Sequence, residues 1–178
     1  MARVVRCGLI QASCEWSPEK FSLAQIKQKM MAKHEDLIAS AVKKKVQILG
    51  LQELFYGPYF CAEQQTRWYE LTEPVPNGPT IVHMQKLAKK HHMVLVVPIY
   101  EVEMTGVYFN TAAVIDADGR YLGKYRKHHI PHCHQVFGKS FISLRGMQVI
   151  QSLKRVTRAS AFTSATTAIF LKARGFSD

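Results

Sequence analysis

Short apolar runs separated by longer amphipathic stretches mark the first three quarters of the chain. Residues 4–11, 46–51 and 93–100 read VVRCGLIQ, VQILGL and MVLVVPIY. Runs of this length, rich in β-branched residues and bounded by polar segments, are typical of buried strands. Two further strands are predicted at residues 109–115 and 120–125, because an Asp-Ala-Asp-Gly turn joins them as an antiparallel pair.

Two amphipathic helices are predicted between these strands. The first begins at Ser17-Pro18-Glu19 or at Ser22, and it ends in Lys43-Lys44-Lys45, where cations favour the C-terminal dipole. The second opens at Asn77-Gly78-Pro79-Thr80. The inward residues recur at helical spacing: Leu23, Ile26, Met30, Leu37, Ala41 and Val42, then Ile81, Met84, Leu87 and Ala88. The order β-α-β-α-β-β-β predicts an α/β fold with a mixed sheet and helices on one face.

The composition narrows the function classes. The sequence contains no apolar stretch of the length that a membrane span requires, and its first residues lack the long apolar region of a signal peptide. The four cysteines (Cys7, Cys14, Cys61 and Cys133) have irregular spacing, which predicts free thiols in a reducing cytoplasm.

The net charge of +11 is unevenly distributed. Residues 1–134 carry 17 Lys and Arg against 12 Asp and Glu, whereas residues 135–178 carry 7 against 1. The last segment also contains no proline, ten Ser and Thr, and no sustained hydrophobic period. This composition predicts a poorly structured cationic tail, so that residues 1–134 and 135–178 are expected to be separate regions.

Candidate chemistry lies at two predicted strand ends. Glu53 follows the strand at residues 46–51, and Lys127 follows the last strand. Since substrates of open α/β sheets bind at the carboxyl ends of strands, these two side chains are candidate site residues.

Four segments carry a family resemblance: Gly8-Leu9-Ile10-Gln11, Leu51-Gln52-Glu53-Leu54-Phe55, Asn110-Thr111-Ala112, and the run from Gly123 through Lys127 to Pro131. In this order and spacing they resemble the nitrilase (carbon–nitrogen hydrolase) superfamily, over about residues 3–134. The aromatic segment from Phe55 to Cys61 resembles the N-carbamoyl amidase branch, which includes β-ureidopropionase and N-carbamoylputrescine amidase. The resemblance implies an α-β-β-α sandwich, usually a homo-oligomer, that hydrolyses a small amide or ureido substrate without a cofactor or metal.

The resemblance also implies a role for each candidate residue. Glu53 matches the general base, and Lys127 matches the lysine that stabilises the oxyanion of the tetrahedral intermediate. The third member of the family site is a cysteine in a motif like C-Y-D-R-x-F-P-E. That motif is missing, and none of the four cysteines has its context. The chain is therefore expected to be an incomplete N-terminal half without turnover.

A shift of one base accounts for the tail. When residues 165–173 (ATTAIFLKA) are translated back and read in the adjacent frame, their codons permit C-Y-D-R-H-F-P-E-G. Residues 135–141 (QVFGKSF) likewise permit P-G-F-W-E-K-F, which resembles the family segment after its lysine. The hypothesis is one deleted base just after the codon for His134. Low solubility is then expected, because half of the core is replaced.

Three other interpretations remain open. One is a zinc site formed by His128, His129, His132, Cys133 and His134, although five side chains within seven residues cannot all converge on one ion. Another is nonspecific, salt-dependent nucleic-acid binding through the basic tail, without a recognition motif. The third is a regulatory partner of an intact paralogue.

Overall fold

A computed structural model describes residues 4–59 and 65–127. Within them, five strands form one mixed sheet in the order β1-β2-β3-β4-β5. The strands are β1 (Cys7–Leu9), β2 (Ile48–Gly50), β3 (Val94–Met104), β4 (Val107–Ile115) and β5 (Tyr121–Arg126). β1, β2 and β3 run parallel, whereas β3, β4 and β5 form an antiparallel meander.

The two predicted helices are confirmed as α1 (Leu23–Lys43) and α2 (Pro79–His91). Ser22 is the N-cap of α1, and it forms a reciprocal capping box with Gln25. Ser22, rather than Ser17, therefore begins the helix. α2 begins at a proline, whose fixed φ suits the first helical position, and ends at His92 in a left-handed conformation.

Both helices pack on the same face of the sheet. Ile26, Met30, Ile81 and Met84 belong to one large buried cluster together with Leu95 and other strand residues. A smaller cluster around Ile48 and Val96 contains no helix residue and lies on the opposite face. The predicted α/β arrangement with helices on one face is confirmed.

The bounds of several elements differ from the prediction. β1 and β2 are shorter than residues 4–11 and 46–51, and β4 begins at Val107 instead of residue 109. β3 continues to Met104 and turns at Gly106, which has a φ of 85°, so that β3 and β4 form a hairpin. A 3-10 helix at Thr66–Leu71 was not predicted. The tail at residues 135–178 and the His-rich cluster lie outside the described residues.

Candidate active site

Glu53 lies just beyond β2, in a segment that is fixed to β1. The Gln52 side chain forms two hydrogen bonds with Ala12: its Nε2 donates to the carbonyl at 2.6 Å, and its Oε1 accepts from the backbone N–H. Leu54, directly after Glu53, has a left-handed φ of 52° and is buried. A nonglycine residue in this conformation is uncommon and stores strain, so the surrounding structure must hold the turn in place.

Lys127 lies just beyond β5. Its backbone N–H donates to the carbonyl of Asn110 on β4 at 2.8 Å, which continues the β4–β5 pairing by one residue. The position of Lys127 is therefore set by the sheet and not by a free loop.

The two predicted residues meet at the edge of the sheet. Lys127 Nζ lies 2.8 Å from Glu53 Oε1, and the two side chains are 23% and 16% exposed. The carboxylate and the ammonium come from positions 74 residues apart in the sequence. The structure thus brings together the two candidates that the sequence identified at separate strand ends.

Asn110 is a third member of this group, and the sequence analysis assigned it no role. Its Nδ2 donates to Glu53 Oε1 at 2.5 Å, and the residue is buried. The sequence signal for Asn110 is an amide side chain in a mostly apolar strand, within the Asn110-Thr111-Ala112 segment that carries the family resemblance.

Charged side chains lie together on the face of β3, β4 and β5 opposite to the one that carries Asn110. Arg126 donates to both carboxylate oxygens of Glu101, from Nε at 3.0 Å and from Nη2 at 2.8 Å. Lys124 also pairs with Glu101, and the Thr111 hydroxyl donates to the Glu101 carboxylate at 2.6 Å. Burial raises the pKa of Glu101, but the hydrogen bonds from Arg126, Lys124 and Thr111 outweigh it, so the net pKa is lowered.

A buried tyrosine anchors the chain that follows Glu53. The Tyr56 hydroxyl donates to the carbonyl of Leu71 and accepts from the backbone N–H of Tyr100, both at 2.9 Å. Burial raises the pKa of Tyr56, so the phenol stays protonated and keeps both bonds. It joins the segment after Glu53 to the 3-10 helix and to β3.

This arrangement can accept a proton and stabilise a negative charge. A carboxylate is a general base when it lies within hydrogen-bonding reach of the proton, and an ammonium stabilises an oxyanion that forms beside it. Two cysteines, Cys7 and Cys14, lie in the described residues. Cys7 pairs with Ile48 at the beginning of β2, whereas Glu53 follows its end, and the Cys14 thiol contacts the carbonyl of Trp16 at 3.5 Å.

Among residues 4–59 and 65–127, no cluster of three or more His, Cys, Asp or Glu could hold a metal ion. In the same residues, no helix is long and apolar enough to cross a membrane.

The chain is similar in sequence and in fold to known proteins. The chain is 40% identical over 112 residues to an N-carbamoylputrescine amidase of Oryza sativa subsp. japonica, a match that covers 63% of this chain and 37% of that protein. It is 39% identical over 131 residues to a beta-ureidopropionase of Arabidopsis thaliana, covering 72% of this chain and 32% of that protein. The chain thus spans about a third of the length of these relatives.

A solved structure supports the same assignment. The carbon-nitrogen hydrolase from Helicobacter pylori G27 superposes with a TM-score of 0.65 at 27% identity, over 80% of this chain and 46% of that one. The model of the carbon-nitrogen hydrolase family matches residues 9–161, most of the sequence. The resemblance inferred from the strand-end motifs is confirmed, and the chain belongs to the carbon-nitrogen hydrolase family.

Proposed function

We propose that Glu53 and Lys127 form the general-base and oxyanion-stabilising half of a site that hydrolyses N-carbamoyl amines or amino acids. The observation that carries this proposal is the 2.8 Å contact between Lys127 Nζ and Glu53 Oε1 at the carboxyl edge of the sheet. The names of the relatives, an N-carbamoylputrescine amidase and a beta-ureidopropionase, support the class of substrate.

The chemistry begins with a cysteine thiol. Glu53 takes its proton, and the sulfur attacks the carbamoyl carbon. The Lys127 ammonium stabilises the negative charge that forms on the carbonyl oxygen. Glu53 then returns the proton to the departing amine, and a carbamoyl thioester remains. Water, activated by the same carboxylate, hydrolyses the thioester to carbamic acid and regenerates the thiol. The carbamic acid then decomposes to ammonia and carbon dioxide.

The attacking cysteine is proposed to lie outside the sequence of residues 1–178 as it is written. Its family motif does not occur there, and Cys7 lies opposite Ile48 at the beginning of β2, whereas Glu53 follows the end of that strand. The absence of turnover in this chain stays a prediction. The regulatory, zinc-binding and nucleic-acid alternatives also stay predictions, because they depend on residues outside the described ranges or on partners.

A chimera tests the proposal independently of the tail. Residues 1–134 are joined to the corresponding remainder of the rice relative, which supplies the rest of that enzyme. The chimera is expected to release ammonia from N-carbamoylputrescine or N-carbamoyl-β-alanine. Glu53→Gln should lower kcat by at least ~100-fold, because proton transfer by a positioned side chain contributes on that order. Lys127→Met should lower it by a comparable ~100-fold, since the oxyanion loses its cation.

Matched controls separate chemistry from general charge effects. Glu19→Gln and Lys43→Met change exposed residues of the same types and should leave kcat within about twofold. A folded chimera that keeps its rate with Glu53→Gln would exclude Glu53 as the base and overturn the proposal.

A further inference from the structure

We infer that Asn110 is a positioning residue that determines which oxygen of Glu53 takes part in the reaction. The inference rests on the proposed role of Glu53 as the base. It concerns a side chain on β4 to which the sequence analysis assigns no role and which the proposed mechanism does not use.

The two oxygens of the Glu53 carboxylate have different surroundings. Oε1 accepts two hydrogen bonds, from Asn110 Nδ2 at 2.5 Å and from Lys127 Nζ at 2.8 Å. Oε2 accepts no hydrogen bond from any residue in the part of the chain that the structure describes. One oxygen is therefore occupied by two donors, and the other is left for a reacting proton.

The chemistry of the two groups fixes the orientation of the amide. An ionised carboxylate only accepts hydrogen bonds, so Asn110 must present its NH2 group and not its carbonyl oxygen to Glu53. Asn110 is only 5% exposed, and an amide buried this deeply is costly unless it is hydrogen-bonded. The contact is thus expected to persist in solution.

Lys127 alone does not distinguish the two oxygens. An ammonium is a compact charge on a flexible stem and can pair with either oxygen when the carboxylate rotates. Asn110 is rigid by comparison, because its short side chain projects from the paired strand β4 opposite Tyr100. A second donor on Oε1 opposes rotation and keeps Oε2 directed away from the amide.

Asn110 also holds the other member of the pair. The backbone carbonyl of Asn110 accepts a hydrogen bond from the backbone N–H of Lys127 at 2.8 Å. A single residue of β4 therefore contacts Glu53 through its side chain and Lys127 through its backbone. This sets the spacing between the base and the cation.

The sequence offers a selective test, because Asn77 and Asn110 are its two asparagines. The full chain, labelled with 15N at asparagine side chains, gives two NH2 signal pairs in a nuclear magnetic resonance spectrum. Asn77 is exposed and serves as the internal reference. We expect one Asn110 proton to lie downfield and to exchange with water roughly tenfold or more slowly than those of Asn77, because it is bonded to a carboxylate. If both pairs have the shifts and exchange rates of exposed amides, the inference is wrong.

Variants identify the acceptor. Glu53→Gln should return the Asn110 signal toward that of Asn77, whereas Lys127→Met should leave it downfield, since the Asn110–Glu53 bond does not require the lysine. Thr111→Val is the matched control: it removes a hydrogen bond from the next residue of β4, but on the face that contacts Glu101. If the chemical shift of the Asn110 signal is unchanged by Glu53→Gln but changed by Thr111→Val, the amide has only a packing role and the inference is wrong.

The readout does not depend on turnover. If the spectrum shows the expected bond but the chimera is inactive, the proposed function fails and the contact stands. If the chimera is active and depends on Glu53, but Asn110→Ala leaves its kcat within about twofold, then Asn110 does not position the base. The inference predicts at least a roughly tenfold lower kcat with KM changed less than about threefold.

Discussion

His34 is a fully buried titratable side chain behind the segment that carries Glu53. Its Nδ1 lies 2.8 Å from the carbonyl of Met30, and its ring packs edge-on against Phe55 with centroids 5.0 Å apart. Burial lowers the pKa of His34 from its usual 6.5, against opposing contributions from the Met30 carbonyl and the Gln52 side chain. At neutral pH the native state therefore holds a neutral imidazole beside the Gln52 side chain. Gln52 in turn holds the segment that carries Glu53 through its bonds to Ala12.

This lowered pKa predicts a loss of stability on acidification. Below pH 6.5 the unfolded chain binds a proton at His34 that the native state does not bind until a lower pH. The free energy of unfolding should thus fall as pH falls through this window, by at most ~1.4 kcal/mol per pH unit from this residue. Urea unfolding at pH 7.5, 6.5 and 5.5 measures it, and His34→Gln should flatten the decline.

The control for His34 is His92, an exposed residue with a left-handed φ of 50°. Asparagine tolerates that conformation, so His92→Asn should keep both the fold and the pH dependence of the wild type. If His34→Gln retains the full wild-type decline between pH 6.5 and 5.5, other groups cause it.

At the scale of elements, β5 is held in place by a buried ionic network. Arg126 and Glu101 are 8% and 1% exposed at their side chains, and the Arg126 guanidinium lies 3.7 Å from the centre of the Phe109 ring. Because Arg126 immediately precedes Lys127, the network on one face of the sheet fixes the strand end that presents the lysine. Neighbouring residues of β4 divide the same way: Thr111 contacts Glu101, and Asn110 contacts Glu53.

Removing one partner of this network should be strongly destabilising. Arg126→Met leaves the Glu101 carboxylate buried with fewer donors, which typically costs about 3–5 kcal/mol. The double change Arg126→Met and Glu101→Gln should cost less than the sum of the single changes, because no buried charge is then left without its main partner. Denaturant unfolding of the four proteins provides the comparison.

Glu103 supplies the contrast, since its carboxylate is 43% exposed although it also bonds Arg126 at 2.8 Å. Glu103→Gln should change the free energy of unfolding by less than ~1 kcal/mol, as surface pairs usually do. A larger loss from Glu103→Gln than from Arg126→Met would contradict the importance of the buried partner.

Local pattern was sufficient for most elements, because each helix has a sustained apolar period and a clear start. Glu53 and Lys127 each follow a strand, but it was the family resemblance that singled them out as site residues. Asn110 was not singled out, since its contact with Glu53 depends on which strands neighbour each other and on the face to which it points. The 3-10 helix at Thr66–Leu71 has no comparable periodic signal, because its shape depends on tertiary contacts such as that between Tyr56 and Leu71.

At the scale of the whole molecule, the described residues form one sheet with helices on one face, and the chain spans about a third of its curated relatives. Within the described residues, the candidate site likewise contains a carboxylate, Glu53, and an ammonium, Lys127. A thiol supplied by additional sequence would complete the chemistry.

The reading-frame hypothesis specifies where that thiol is encoded. One base is proposed to be missing after the codon for His134, so the bases at the Ser164–Ala165 junction should spell TGC in the adjacent frame. Sequencing the gene through and beyond codon 178 checks this, and any other triplet at that junction excludes the hypothesis. If it holds, inserting one base after codon 134 should yield a protein with higher solubility and lower binding of a hydrophobic dye, because the restored sequence buries apolar surface at ~25 cal/mol per Å2. The restored protein should also hydrolyse an N-carbamoyl substrate, and it should lose that activity when the recovered cysteine is changed to serine, since the thiolate is the nucleophile. A restored protein that folds yet turns over nothing would place the nucleophile elsewhere.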